Sequence, residues 1–174
     1  QETTMVVVMS VVAAAFISIL IYFISKYRSD IKAKESEITY REELFSTLST
    51  NVDDVFMMLD ASTMHTDYLS PNVERLMGIK EEDAENDIRV LKKLRPKNED
   101  ISILDEIATL KVGEQRVWNR EYVHLETKEY RYFTVTAICR IINDKKKYIA
   151  VFSDRSQEKK INQDLEYAVA QAQS

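Results

Sequence analysis

Residues 5–24, MVVVMSVVAAAFISILIYFI, form a run of twenty positions without a charged side chain, in a chain of 174 residues of which 30% are charged. As a helix the run rises about 30 Å, the thickness of a bilayer's hydrocarbon core, and it satisfies its own backbone hydrogen bonds where no water is available. The run therefore predicts a membrane-crossing helix to which every later residue is tethered. Only Glu2 is charged before it, whereas Lys26, Arg28, Lys32 and Lys34 follow at once. Basic residues gather on the cytoplasmic side, so the amino end is expected outside and the rest of the chain in the cytoplasm, a single pass through the cell membrane. Tyr22 and Tyr27 stand near the exit, where amphipathic rings bridge acyl chain and headgroup. A secretory signal peptide requires its basic residues ahead of a shorter apolar stretch, and here they lie behind. Gln1 is not an initiator methionine, so the chain reads as an excerpt or a processed form whose preceding segment lies outside the cell.

About 150 residues remain after the run, enough for one domain with a core. The 24 basic and 29 acidic residues are interspersed, giving a net charge of -5 and no strongly basic surface for nucleic acid. Cys139 is the only cysteine and falls in an alternating apolar stretch, which predicts a buried thiol and excludes an internal disulfide. With two glycines and two prolines there is no Gly-rich phosphate loop and no low-complexity linker.

From Ser25 to about Thr50 strong helix formers carry apolar residues at Ile31, Ile38, Phe45 and Val52, one every seven, with Leu44 and Leu48 added late. The other core position of that heptad is polar at Lys34 and Arg41, so a seam is weakly specified near the membrane and firmer towards Leu48; a solvated single helix is the alternative. Val55 to Leu59 and Tyr68-Leu69 predict two short strands forming a hairpin. Asn72 or Ser70 can cap a helix bearing Val73, Leu76 and Met77 and closed by Gly78. Two further helices are expected between Glu81 and Lys111, separated at Pro96. Arg116–Leu125, Tyr130–Ile142 and Lys147–Phe152 then predict three antiparallel strands joined by short polar loops, followed by a helix, capped by Asp154 or Ser156, on which Ile161, Leu165, Ala168 and Ala172 step by four, three and four.

Two segments resemble the PAS domain family. Tyr68-Leu69-Ser70-Pro71-Asn72-Val73-Glu74-Arg75-Leu76-Met77-Gly78 is similar to its second strand and following helix, and Tyr148 to Ser156 with Glu158-Lys159-Lys160 to its last strand and exit motif; Arg155 stands where an aliphatic residue is usual. The resemblance implies an α+β fold with a five-stranded antiparallel sheet and flanking helices, and it assigns Asp154 and Ser156 to capping and signal exit. The stretch from Glu158 to Gln173 is similar to the connector that, in many bacterial sensor histidine kinases and hybrid kinases, leads into the dimerising phosphoacceptor helices. The expected organisation is a membrane span with a short outside flank over 1–25, a helical signalling linker over 26–50, the PAS-like domain over 51–156, and over 157–174 the start of a coiled-coil connector to an output domain.

Neither His65 nor His124 has a second His, Cys or carboxylate at ligand spacing, so each is expected to be a surface or hydrogen-bonded side chain and no metal or haem is expected. Cys139 lies on a strand, which removes the photoreactive flavin reading. No cofactor, catalytic nucleophile or kinase ATP motif is expected. A small apolar pocket would be lined by Phe56, Met58, Val135, Ala137, Ile149 and Val151, with Trp118 and Leu94 nearby, if these side chains leave space. The expected function is a membrane-anchored relay module, self-associating as a homodimer through its helical connectors. It would carry a signal to a downstream kinase or other output domain, with Asp154, Ser156, Ile161, Leu165 and Ala168 at the exit. The parent reads as a two-component sensor histidine kinase; a diguanylate cyclase, or a ligand-binding or dimerisation domain without enzymatic output, stays open beside it.

Overall fold

The computed structural model describes residues 2–95 and 101–173. Two units make up the chain, residues 1–45 and 46–174. The first helix, α1 (Glu2–Thr50), is unbroken, and along it Met5 to Ile24 are exposed throughout. It is the one helix among the described residues long and apolar enough to cross a membrane. Ile31, Ile38 and Phe45 are exposed as well, and Val52 falls in the turn beyond the helix end, so the sevenfold spacing outlasts the helix by one position.

In the second unit, β1 (Asp54–Asp60) and β2 (Thr66–Leu69) form the expected hairpin; α2 (Val73–Met77), α3 (Glu81–Asn86), a 3-10 helix (Ile88–Leu94) and α4 (Ile103–Ile107) follow. Then come β3 (Gln115–Val123), β4 (Tyr130–Ile142), β5 (Lys145–Asp154) and α5 (Ser156–Ala172). Among the described residues between Glu81 and Lys111 there are thus two α-helices with a 3-10 helix between them; the expected break at Pro96 lies outside the described residues. The five strands pair antiparallel in the order β2-β1-β5-β4-β3. The class is α+β, as expected.

One face of the sheet and the short helices share a single core. Val55, Met57, Leu59, Trp118, Tyr122, Phe133, Val135, Ala137, Cys139, Tyr148, Ala150 and Phe152 are buried from the strands, and Val73, Leu76, Met77, Ile88, Leu91, Leu94, Leu104 and Ile107 from the helices. Each fully buried aliphatic or aromatic side chain contributes roughly 1.5–3 kcal/mol, and Cys139 is packed among them as a free buried thiol. Four of the expected pocket residues face the other way. Phe56 and Met58 on β1 and Ile149 and Val151 on β5 are half-buried on the opposite face, paired as Phe56↔Val151 and Met58↔Ile149. Val135, Ala137, Trp118 and Leu94 do face the core. Both parities of β1 and β5 are apolar, so alternation cannot orient those strands, and the cross-strand register does so instead.

Candidate functional site

The incoming and outgoing segments meet at one end of the β1/β5 pair. Asp54 stands opposite Ser153, and one residue further out the Asp154 N–H donates to the Asp53 carbonyl at 2.7 Å. Antiparallel neighbours exchange ladder hydrogen bonds, so the chain enters the sheet beside the point where it leaves.

Asn72 fixes the incoming side. It occupies the position before α2, yet its side chain does not cap that helix. Its Nδ2 donates to three carbonyl oxygens, Ser49 at 2.7 Å, Val52 at 3.0 Å and Asp54 at 2.6 Å. Its Oδ1 accepts from the Ser70 hydroxyl at 2.7 Å, which in turn accepts from the Phe56 N–H at 2.8 Å. One buried amide therefore ties the end of α1, the turn after it and the start of β1 to the start of α2. Arg75 adds an exposed pair to Asp53 at 3.0 Å and a bond to the Val52 carbonyl at 2.7 Å.

Asp154 fixes the outgoing side. Its Oδ1 accepts from the Ser156 N–H at 2.9 Å and the Ser156 hydroxyl at 2.5 Å, and its Oδ2 pairs with Arg131 at 3.2 Å. The Ser156 Oγ accepts from the Tyr132 N–H at 2.9 Å, and the Arg155 N–H donates to the Tyr132 carbonyl at 2.7 Å. Asp154 thus satisfies a free N–H of the first turn of α5, the service a cap supplies, although the residue immediately before the helix is Arg155. The Arg155 side chain is exposed and meets Glu158 at 3.5 Å, so the departure from an aliphatic residue leaves no charge in the core. Lys159 lies 3.2 Å from the centre of the Tyr132 ring. Beyond this turn α5 buries none of its residues, and Ile161, Leu165 and Ala168 are exposed along one side.

At the far end of the same strand pair Lys147 bonds both Asp60, at 3.2 Å, and Asp67. The Asp60 carboxyl is held far below the usual carboxylate range, first by the Ser62 hydroxyl and backbone N–H and then by Lys147; Asp67 in turn raises Lys147. The two strands are pinned at both ends.

His124 is buried just past β3. Its Nδ1 accepts from the Thr127 N–H at 3.2 Å, so its proton sits on Nε2, 3.2 Å from the Arg75 carbonyl. This is the hydrogen-bonded histidine expected from the sequence; His65 is exposed, 3.7 Å from Asp67. No group of three or more His, Cys, Asp or Glu among the described residues is placed to hold a metal ion.

Replacing Asp154 by Ala is expected to release the first turn of α5, at a cost of about 1–2 kcal/mol. Amide exchange at residues 156–160 should accelerate by roughly tenfold while that of 55–59 stays put. Equal acceleration in both segments would mean that Asp154 serves the whole sheet and not the outgoing turn.

A five-stranded antiparallel sheet in this order, with short helices packed on one face and a helix leaving from the last strand, is the PAS fold. Solved structures share it. The PAS domain of an HTR-like protein from Haloarcula marismortui matches with a TM-score of 0.55 and 15% identity, over 71% of this chain and 98% of that one. The N-terminal domain of a diguanylate cyclase with a PAS/PAC sensor from Marinobacter aquaeolei matches with a TM-score of 0.51 and 14% identity, over 61% and 98%. No family model and no curated protein matches the chain.

Proposed function

We propose that the chain is the membrane-anchored relay segment of a sensor protein: α1 crosses the bilayer, the PAS fold lies in the cytoplasm, and α5 begins a dimeric connector to an output domain. The observation that supports this reading most directly is the Asp53 to Asp154 hydrogen bond. A push or twist delivered along the incoming segment reaches the outgoing turn across one rung of the sheet, without passing through the core. Relay also needs an element with two states of similar energy. The linker supplies one, because Lys34 and Arg41 hold core positions of its heptad and leave its seam poorly specified. In a homodimer the exposed series Ile161, Leu165, Ala168 and Ala172 would meet its own copy, the geometry of a coiled-coil seam. The parent is read as a sensor histidine kinase. The diguanylate cyclase reading is kept because one structure sharing the fold comes from such an enzyme.

Membranes carrying Leu165→Cys are expected to give a covalent dimer under mild oxidation, and Lys160→Cys, off the seam, far less. Equal yields would remove the seam. In the full-length parent, glutamate at both Leu165 and Ala168 is expected to abolish stimulus-dependent output, and unchanged signalling there would overturn the relay.

A further inference from the structure

Where α1 leaves its apolar run, one side of the helix changes character. At about 100° per residue, Ser25, Arg28, Ser29 and Lys32 share a stripe roughly 100° wide, continued towards the apolar run by Ile21 and Ile24. These six, together with Ile31 and with Glu35 at the far end, line a shallow open groove along the helix. Asp30 falls on the opposite side. Among the described residues the polar groups of the stripe also make no hydrogen bond or ion pair. Elsewhere on α1 several hydroxyls turn back onto the helix, Ser10 to the Val7 carbonyl, Ser18 to Ala14 and Thr39 to Glu35, although Ser36 does not, and Arg41 pairs with Glu37. Among the described residues Ser25 and Ser29 make no such bond, and Arg28 and Lys32 meet no carboxylate.

Depth matches a lipid headgroup. Arg28 lies about 6 Å past Ile24 and Lys32 about 12 Å, while the headgroup layer extends some 5–7 Å beyond the hydrocarbon; the long Lys32 side chain reaches back into it. We propose that this stripe binds an anionic glycerophospholipid, its acyl chain along Ile21 and Ile24, its phosphate between Arg28 and Lys32, and the Ser25 and Ser29 hydroxyls donating to phosphate oxygens. A second copy of α1 is the poorer occupant, because it would set Arg28 and Lys32 against their own like charges. The proposal rests on the membrane reading of α1.

The test uses the chain in detergent with equimolar phosphatidylglycerol and phosphatidylcholine, the retained lipid being read by native mass spectrometry. Wild type should retain phosphatidylglycerol about tenfold over phosphatidylcholine. Arg28→Gln with Lys32→Gln should bring the ratio near parity, while Lys26→Gln with Lys34→Gln, which removes the same charge off the stripe, should keep most of the preference. No preference in wild type, or equal loss in the two double variants, overturns the site. Displacement of the lipid by excess glycerol phosphate also overturns it, in favour of a free-phosphate site. So does loss of self-association in the first double variant with lipid retention unchanged, which would give the stripe to a second copy. Flotation with phosphatidylcholine vesicles separates the two readings: a chain that fails to float loses both the span and the lipid site, whereas one that floats without preference loses only the site.

Discussion

Asn72→Asp is expected to cost about 4 kcal/mol or more, and Asn72→Ala about 2–3 kcal/mol, although the aspartate is nearly the same shape as the residue it replaces. The order follows from what surrounds the amide. Two N–H bonds are shared among the carbonyls of Ser49, Val52 and Asp54, all within 3.0 Å, and residue 72 is only 2% exposed. Alanine leaves the Ser49 and Asp54 oxygens without this donor, while the Val52 carbonyl keeps its bond from Arg75. Aspartate places a carboxylate oxygen against all three, replacing attraction by repulsion where little water can screen it. Trp118, the only tryptophan and 9% exposed, reports unfolding of the PAS unit in urea without interference from α1. If aspartate proved milder than alanine, the amide would not be the donor described here, and the attachment of α1 to the sheet would have to be sought elsewhere.

Asn72 also shows where sequence reasoning reaches its limit. Its position between Pro71 and Val73 predicts a cap, a local job, whereas its partners lie 18 to 23 residues back along the chain, and no periodicity carries such information. Local patterns were readable elsewhere. β4 was oriented correctly because Tyr132, Thr134 and Thr136 alternate with Phe133, Val135 and Ala137. β1 and β5, apolar at both parities, were not. A signal for β5 existed all the same: Asn143 and Asp144 both take positive φ, 51° and 61°, as a two-residue hairpin turn requires. That turn sets Ile142 opposite Lys145, and the register then brings Phe152 beside Val135 and Ala150 beside Ala137 on the core face. Ile88, Leu91 and Leu94 likewise repeat every three residues, the period of the 3-10 helix they form. The hydrogen bond between Asp53 and Asp154 was out of reach, since it depends on β1 and β5 being neighbours and nothing in either strand names its partner. The turn into α5 is legible through Asp154 and Ser156, because a cap acts within a few residues of itself.

Gly78→Ala is expected to destabilise the PAS unit by roughly 3 kcal/mol or more, against about 1 kcal/mol for Gly113→Ala. Both glycines hold positive φ, 71° and 85°, so each substitution carries the strain of a left-handed backbone. Their surroundings separate them. A Cβ at Gly113 meets nothing within 4 Å, whereas one at Gly78 would stand 2.7 Å from Cε1 and Nδ1 of His124 and 2.9 Å from the Glu126 nitrogen. The ring cannot easily yield, because Nδ1 holds the Thr127 N–H and Nε2 the Arg75 carbonyl, and the Leu125 N–H holds the Met77 carbonyl beside it. Gly78 therefore ends α2 and also lets the turn after β3 close over it, so that the helix bearing Arg75 is locked to the strand leading to Arg131. A double-mutant cycle isolates the contact. His124→Ala costs stability by itself, since it strands the two backbone groups, but in its presence Gly78→Ala should cost at least about 1 kcal/mol less than in wild type. Strict additivity would show that the penalty at Gly78 comes from backbone strain and the Glu126 nitrogen, and that the close approach of the imidazole contributes nothing.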